Sequence, residues 1–176
     1  MAEMQINKQS VRSFLSSGKT FLIPDYQRQY SWKKEHCETL WDDIELFLEN
    51  ALNKQDEEYF LGSIVGFVDE NNKNVFEVID GQQRITTLSL LFRALYKKAS
   101  DADFQTTNTK GYVKSFGKCL WGFDEGSEEL EFDKPYLKSK VALDTDIEVL
   151  EKILSKDCNL NPREQKSIYA KNFAFF

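Results

Sequence analysis

The stretch "FEVIDGQQRITTLSLLFRAL", residues 76–95, runs from an apolar pair, Val78-Ile79, through Asp80-Gly81-Gln82-Gln83-Arg84 into a pattern with Ile85, Leu88, Leu91, Phe92 and Leu95 on one face. Apolar residues recurring three and four positions apart mark an amphipathic helix, here expected over 82–99. Upstream, "YFLGSIVGFV" (59–68) and "NVFEVI" (74–79) are rich in β-branched and aromatic residues. "DENNKN" between them is turn chemistry, so the two read as strands of an antiparallel hairpin.

The corner at 80–84 carries more polar chemistry than a turn requires. Asp80 can cap the helix, with Gln83 reaching back as in a capping box, and Gly81 permits close backbone approach. Arg84 fits this scheme poorly. The first turn of a helix is the positive end of its dipole, where a cation is unfavourable by about 0.3–1 kcal/mol. Helix N-termini bind phosphate, an arginine fork adds bidentate contacts, and Thr86 and Thr87 can add hydroxyls. Two readings stand: a capped corner with Arg84 turned toward an acid such as Asp80, or an anion site.

A second corner has the same grammar. "KTFLIP" (19–24) reads as a strand closed by Pro24, which biases the preceding residue to extended geometry. The loop after it, "DYQRQYSW" (25–32), combines Asp25, Gln27 and Arg28 with Tyr26, Tyr30 and Trp32. Aromatics beside an arginine can stack a base and hold phosphates; each of them can equally be a core or rim aromatic. Two Arg-Gln corners in one small chain suggest one shared pocket.

Around these corners the pattern gives a short helix over 6–17 stopped by Gly18, and a helix over 33–51 with Ser31 as a candidate N-cap. A weak helix is expected around 109–119, a flexible acidic stretch at "DEGSEE", and a short strand within "LEFDKPYLK" (130–138). A helix follows over 144–155, capped by Asp144 or Thr145, and a last helix is opened by Asn161 and Pro162. The aromatic end, "SIYAKNFAFF", reads either as a helix packed on the core or as a point where a further domain continues.

The 176 residues are 41% apolar and 30% charged, with a net charge of −6. That profile suits a globular domain with a real core and argues against a chain that coats nucleic acid nonspecifically. No apolar run is long enough for a membrane span, and "MAEMQINKQS" carries no signal-peptide core. Cys37, Cys119 and Cys158 are widely and irregularly spaced, matching neither a disulfide framework nor a zinc site. A reducing cytoplasm is the expected location. The P-loop motif is absent, so its mechanism does not apply.

Taken in order, "IPDYQRQYSW", "YFLGSIV" and "VIDGQQRITTL" resemble the N-terminal domain of GmrSD-type restriction endonucleases, a branch of the ParB/sulfiredoxin-like superfamily. The resemblance runs from about residue 10 to about 98 and continues more weakly through "KPYLKSKVALDTDIEVLEKIL" and "KSIYAKNFAFF". Pattern and resemblance together give an α+β fold, a small, mainly antiparallel sheet with its hairpin packed by several helices; the ParB/sulfiredoxin-like core is what the resemblance implies. It divides the chain into a nucleotide-binding core (1–99), a flexible or weakly helical insertion (100–129) and a helical extension (130–176) cut before a further C-terminal region.

The resemblance also implies a function: NTP binding with Mg²⁺, and NTP hydrolysis coupled to a nuclease in anti-phage defence against foreign DNA. Asp80, Gly81, Gln82, Gln83 and Arg84 carry over to the phosphate-binding corner, and Pro24, Tyr26, Gln27, Arg28 and Trp32 to the other loop; Gly62 matches the glycine of the "FLG" strand. On this reading Asp80, Gln82, Gln83 and Arg84 form the catalytic set. Arg84 and the helix N-terminus hold the β/γ-phosphates, and Gln82 or Gln83 positions a water or a phosphate oxygen. Asp80 caps the helix or holds Mg²⁺ through water. Arg28 neutralises phosphate charge, Tyr26 or Trp32 touches base or sugar, and Gly81 and Thr86 complete the nucleotide site. No protein metal ligand is expected. Relatives often continue into an HNH nuclease domain; the lone histidine here, His36, carries no such motif. DNA and a nuclease domain or subunit are the expected partners, and no membrane. Two alternatives remain open: a nucleotide- or DNA-phosphate-sensing module without turnover, and direct DNA cleavage by this domain.

Overall fold

The computed structural model describes residues 6–51, 58–70, 72–102, 106–142 and 144–176. Its central element is the helix that the 3.6-residue pattern specifies, α3 (Gln82–Ser100), buried well beyond one face: besides Ile85, Leu88, Leu90, Leu91 and Ala94, the polar Gln82, Gln83, Thr86, Thr87, Ser89 and Arg93 are also buried. Thr86, Thr87 and Ser89 each donate a side-chain hydrogen bond to the carbonyl four residues back, at 2.8–2.9 Å. Their hydroxyls therefore cost little in the interior.

The remaining elements in chain order are α1 (Val11–Leu15), β1 (Thr20–Ile23), α2 (Lys34–Ala51), β2 (Val65–Val68), β3 (Val75–Asp80), then, after α3, α4 (Thr107–Gly117), β4 (Trp121–Asp124), β5 (Glu129–Pro135), β6 (Leu137–Ser139), α5 (Ile147–Ile153) and α6 (Ile168–Phe175). The fold mixes helices with small sheets, compatible with α+β. The expected hairpin is present, β2 pairing antiparallel with β3. β2 is shorter than the run 59–68 suggests. Gly62 takes a φ of +94°, and the chain before Val65 leaves the ladder to lie over the head of α3.

The expectation of a mainly antiparallel sheet is corrected. The main sheet has the order β2-β3-β1-β6, and β1 pairs parallel with both β3 and β6. Parallel neighbours need long crossover connections. α2 lies on the first crossover, and α3, α4 and the β4–β5 ribbon lie on the second. The segment read as a helical extension thus supplies a strand to the main sheet, and its Leu137, Val149, Leu150, Ile153 and Tyr169 join the same core as Phe21, Ile23, Val78 and Ile85.

The acidic stretch "DEGSEE" forms the turn of the β4–β5 hairpin. Asp124 accepts from the backbone N–H of Gly126 (2.7 Å) and Ser127 (3.2 Å). Those bonds hold its carboxyl below the usual carboxylate range. Cap residues also shift. Asp144 accepts from the N–H of Asp146 at 3.0 Å, and α5 starts after Asp146 without a side-chain cap. Asn161 and Glu164 cap each other reciprocally, at 2.9–3.0 Å. They open only a 3-10 turn, and Ser167 then caps α6.

Among the described residues no helix is long and apolar enough to cross a membrane. The three cysteines are free thiols. Burial pushes Cys37 and Cys119 up to about 11 and raises Cys158 as well. Since the thiolate is the reactive species, a disulfide reagent at pH 8 is expected to titrate at most one thiol rapidly in the folded protein. That thiol is the half-buried Cys158, and three should react after denaturation. Mass mapping of the labelled peptide checks the assignment.

Candidate functional site

The three parallel strands place their carboxyl ends along one edge: Ile23 of β1 opens the loop 24–32, Asp80 of β3 hands over to α3, and Ser139 of β6 opens the turn toward α5. Ligands in open α/β sheets settle outside the carboxyl ends of strands. A partly open hollow lies here, lined by Ile23, Arg28, Tyr30, Gln82, Gln83, Thr86, Ser139, Val141 and Tyr169. Its free volume is about 10 Å³, room for about one water.

The head of α3 is uncapped. The capping-box expectation is corrected by one residue: Gly81, not Asp80, is the N-cap, with φ +92° and no side chain bonded to the first-turn N–H groups. A capping side chain folds back from an extended N-cap residue, and the left-handed turn at Gly81 removes that geometry. Gly81 also has little room for a Cβ, which would stand 3.1 Å from the Ser63 carbonyl oxygen. Asp80 remains an exposed carboxylate at the end of β3, with no hydrogen bond or ion pair among the described residues.

Gln83 does not reach back to Asp80. Buried at 5% exposure, it ties the other corner. Its Oε1 accepts from the Ser31 N–H (2.8 Å) and Oγ (3.3 Å), and its Nε2 donates to the Gln29 carbonyl (3.1 Å). Ser31 is thereby engaged away from the α2 N-cap position, and α2 begins at Lys34. Gln27 Nε2 adds a bond to the Ile79 carbonyl at 2.7 Å. The two Arg-Gln corners are therefore neighbours, as the repeated grammar suggested.

The arginines separate. Arg28 is exposed, lines the hollow, and has no hydrogen bond or ion pair among the described residues. Arg84 turns the other way: its Nη1 donates to the Ser63 carbonyl at 2.5 Å, and its guanidinium lies over Gly62, where a Cβ would stand 2.7 Å from Cζ. A backbone carbonyl, rather than an acid, receives the cation. Gln82 is 8% exposed, lines the hollow, and its side-chain amide has no partner among the described residues.

The aromatics also divide. Trp32 stacks on His36 at 5.7 Å and packs against both apolar clusters, away from the hollow. His36 accepts from the Lys33 N–H at 3.2 Å, an ordinary role at a helix start. Tyr26 is 65% exposed and donates to Glu77 at 3.1 Å. Partial desolvation, then that carboxylate, raise its pKa.

Tyr30, the third loop aromatic, and Tyr169, which sequence reasoning did not assign, complete the wall. Tyr30 and Tyr169 stack at 5.0 Å. Tyr30 OH is within 2.7 Å of Thr87 Oγ1, and Tyr169 OH bonds to Asp144. Burial raises both phenols, with Asp144 adding to the effect at Tyr169, so both stay protonated near neutral pH. No carboxylate, cysteine or histidine lines the hollow. Among the described residues no group of three or more His, Cys, Asp or Glu side chains is placed to hold a metal.

The family model for the GmrSD restriction endonuclease, N-terminal domain, matches residues 11–175. No curated protein matches the chain.

Proposed function

The chain belongs to the GmrSD restriction endonuclease N-terminal domain family, a restriction-related domain, and we propose that the head of α3 is its nucleotide-phosphate site. The reading rests on one observation: an uncapped helix N-terminus stands beside a water-sized hollow lined by Arg28 and by the amide of the largely buried Gln82, neither of them paired among the described residues. Free first-turn N–H groups and a guanidinium are complementary to a phosphate oxyanion.

In this reading the first-turn N–H groups of α3 and Arg28 hold the terminal phosphates of an NTP. Gln82 orients the water that occupies the hollow. Attack of that water on the γ-phosphorus breaks the bond to the bridging oxygen, giving NDP and inorganic phosphate, with the proton passing to solvent. Such a transfer needs chiefly positioning and charge stabilisation. Arg84 becomes a second phosphate ligand only by releasing Ser63, and Gln83 holds the loop. Mg²⁺ fits as an ion carried by the substrate phosphates, since that ion commonly takes only one or two carboxylates from protein; the free carboxylate of Asp80 is the candidate. Tyr26 is the remaining aromatic for base or sugar. Hydrolysis then governs the action on DNA of a nuclease domain or subunit in anti-phage defence, in a reducing cytoplasm that suits three free thiols.

One observation favours a second reading, a sensor without turnover: no general base lines the hollow. Titration of the chain with NTP·Mg²⁺ and a non-hydrolysable analogue, alongside phosphate release, separates the two. Binding of both with release supports the hydrolase. Equal binding without release, also in the presence of the nuclease part and DNA, supports the sensor. Binding of neither overturns the site.

A further inference from the structure

We infer that Asn172 of α6 is a positioning residue for this site: it ties the C-terminal helix to the loop that carries Arg28. The inference rests on the phosphate-site reading above and adds a residue from the far end of the chain. Asn172 is 1% exposed. Its Nδ2 donates to Tyr30 OH at 2.9 Å and to the Trp32 carbonyl at 2.6 Å, and Tyr30 OH pairs onward with Thr87 Oγ1 at 2.7 Å. One amide thus grips the loop at two residues and connects it to both α3 and α6.

The other half of that amide has no partner among the described residues: Oδ1 is buried and unsatisfied there. A buried polar atom without a partner is costly, so an apolar side chain is the better choice for packing alone. What the amide supplies is its two donors, and both go to the loop. Arg28 needs them. Its neighbours are held, Gln27 by the Ile79 carbonyl and Gln29 by Gln83, while the loop's far end, Tyr30 to Trp32, is held by Gln83 at Ser31 and by Asn172. An exposed guanidinium binds an anion tightly only when its backbone is fixed beforehand, because ordering it on binding subtracts from affinity.

The test uses the whole chain, amide hydrogen exchange and titration with inorganic tripolyphosphate and Mg²⁺. For Asn172→Leu the expected result is at least tenfold faster exchange across residues 25–32 with less than twofold change inside α3, and at least tenfold weaker tripolyphosphate binding. Tyr30→Phe, which keeps the stack on Tyr169 and removes the hydroxyl, should show the same loop-confined change at smaller size, and it decides the matter if the leucine variant does not fold. Unchanged loop exchange, or acceleration spread evenly over the fold, overturns the inference, as does unchanged affinity in a variant whose loop is loosened. A wild-type chain that binds neither tripolyphosphate nor NTP overturns the phosphate-site reading instead, and the exchange measurement still reports whether the tie exists.

Discussion

Arg28→Ala is expected to weaken NTP binding by about 10- to 100-fold while leaving the thermal midpoint nearly unchanged. The size follows from the loss of one charge-assisted hydrogen bond from the guanidinium to a phosphate, about 1.5–3 kcal/mol, at about 1.4 kcal/mol per tenfold. The unchanged stability follows from its surroundings: Arg28 is exposed and unpaired among the described residues, so removing it breaks no hydrogen bond or ion pair there. Arg28→Lys should recover part of the affinity, since an ammonium supplies charge without the planar fork. Arg84→Ala is the informative contrast. It removes the 2.5 Å bond to the Ser63 carbonyl and the cover over Gly62, so it should lower stability by about 1 kcal/mol and affect binding less than Arg28→Ala. Calorimetric titration and thermal denaturation of the pair measure both quantities. If Arg84→Ala costs more affinity than Arg28→Ala in a folded protein, the terminal phosphates are held by Arg84.

That contrast shows how far the corner could be read from the sequence. Local periodicity carried α2, α3 and the β2–β3 hairpin, because each is specified by residues a few positions apart. The repeated Arg-Gln grammar suggested a shared pocket for residues 24–32 and 80–84, and the bonds of Gln27 and Gln83 make the two corners neighbours. The grammar did not show which arginine faces the hollow. That depends on the left-handed turn at Gly81, which shifts the N-cap by one residue and sends Arg84 toward Gly62. A glycine announces freedom to turn, not the direction taken. The parallel pairing of β1 with β3 and β6 was illegible for a related reason: Phe21 and Leu137 are brought side by side by a long crossover that leaves no periodic mark. Asn172 and Tyr30 are 142 positions apart, and nothing near either one signals the other. At the aromatic end, Tyr169 and Phe176 are buried, and Phe173 and Phe175 pack against the core clusters.

Truncating Arg93 should produce one of the large stability losses in the fold. Arg93 sits in α3 at 3% exposure, where arginine is seldom found, and among the described residues no carboxylate is paired with it. Its Nε donates to the Ile153 carbonyl at 2.8 Å and its Nη2 to those of Ser155 (3.3 Å) and Lys156 (3.4 Å). The guanidinium also lies 5.4–5.9 Å from the ring centres of Trp121, Tyr96 and Phe173. Those carbonyls lie at and just beyond the C-terminal end of α5, where the orphan acceptors and the negative end of the dipole favour a cation. Trp121 serves the same end, its Nε1 donating to the Leu154 carbonyl at 2.6 Å. Burial lowers the arginine's pKa from its usual value, the expected cost of taking a cation out of water. Arg93→Ala removes the donors and leaves a cavity, so the expected loss is about 3–5 kcal/mol, a large share of the roughly 5–15 kcal/mol that holds a domain together. Arg93→Met refills much of the volume without the donors, and the loss should fall to about 1.5–3 kcal/mol. Denaturant midpoints at constant slope measure both. A loss below about 1 kcal/mol for Arg93→Ala means that water satisfies the end of α5 as well as the guanidinium does. A loss of the expected size identifies α5 as an element that α3 holds in place from inside the core.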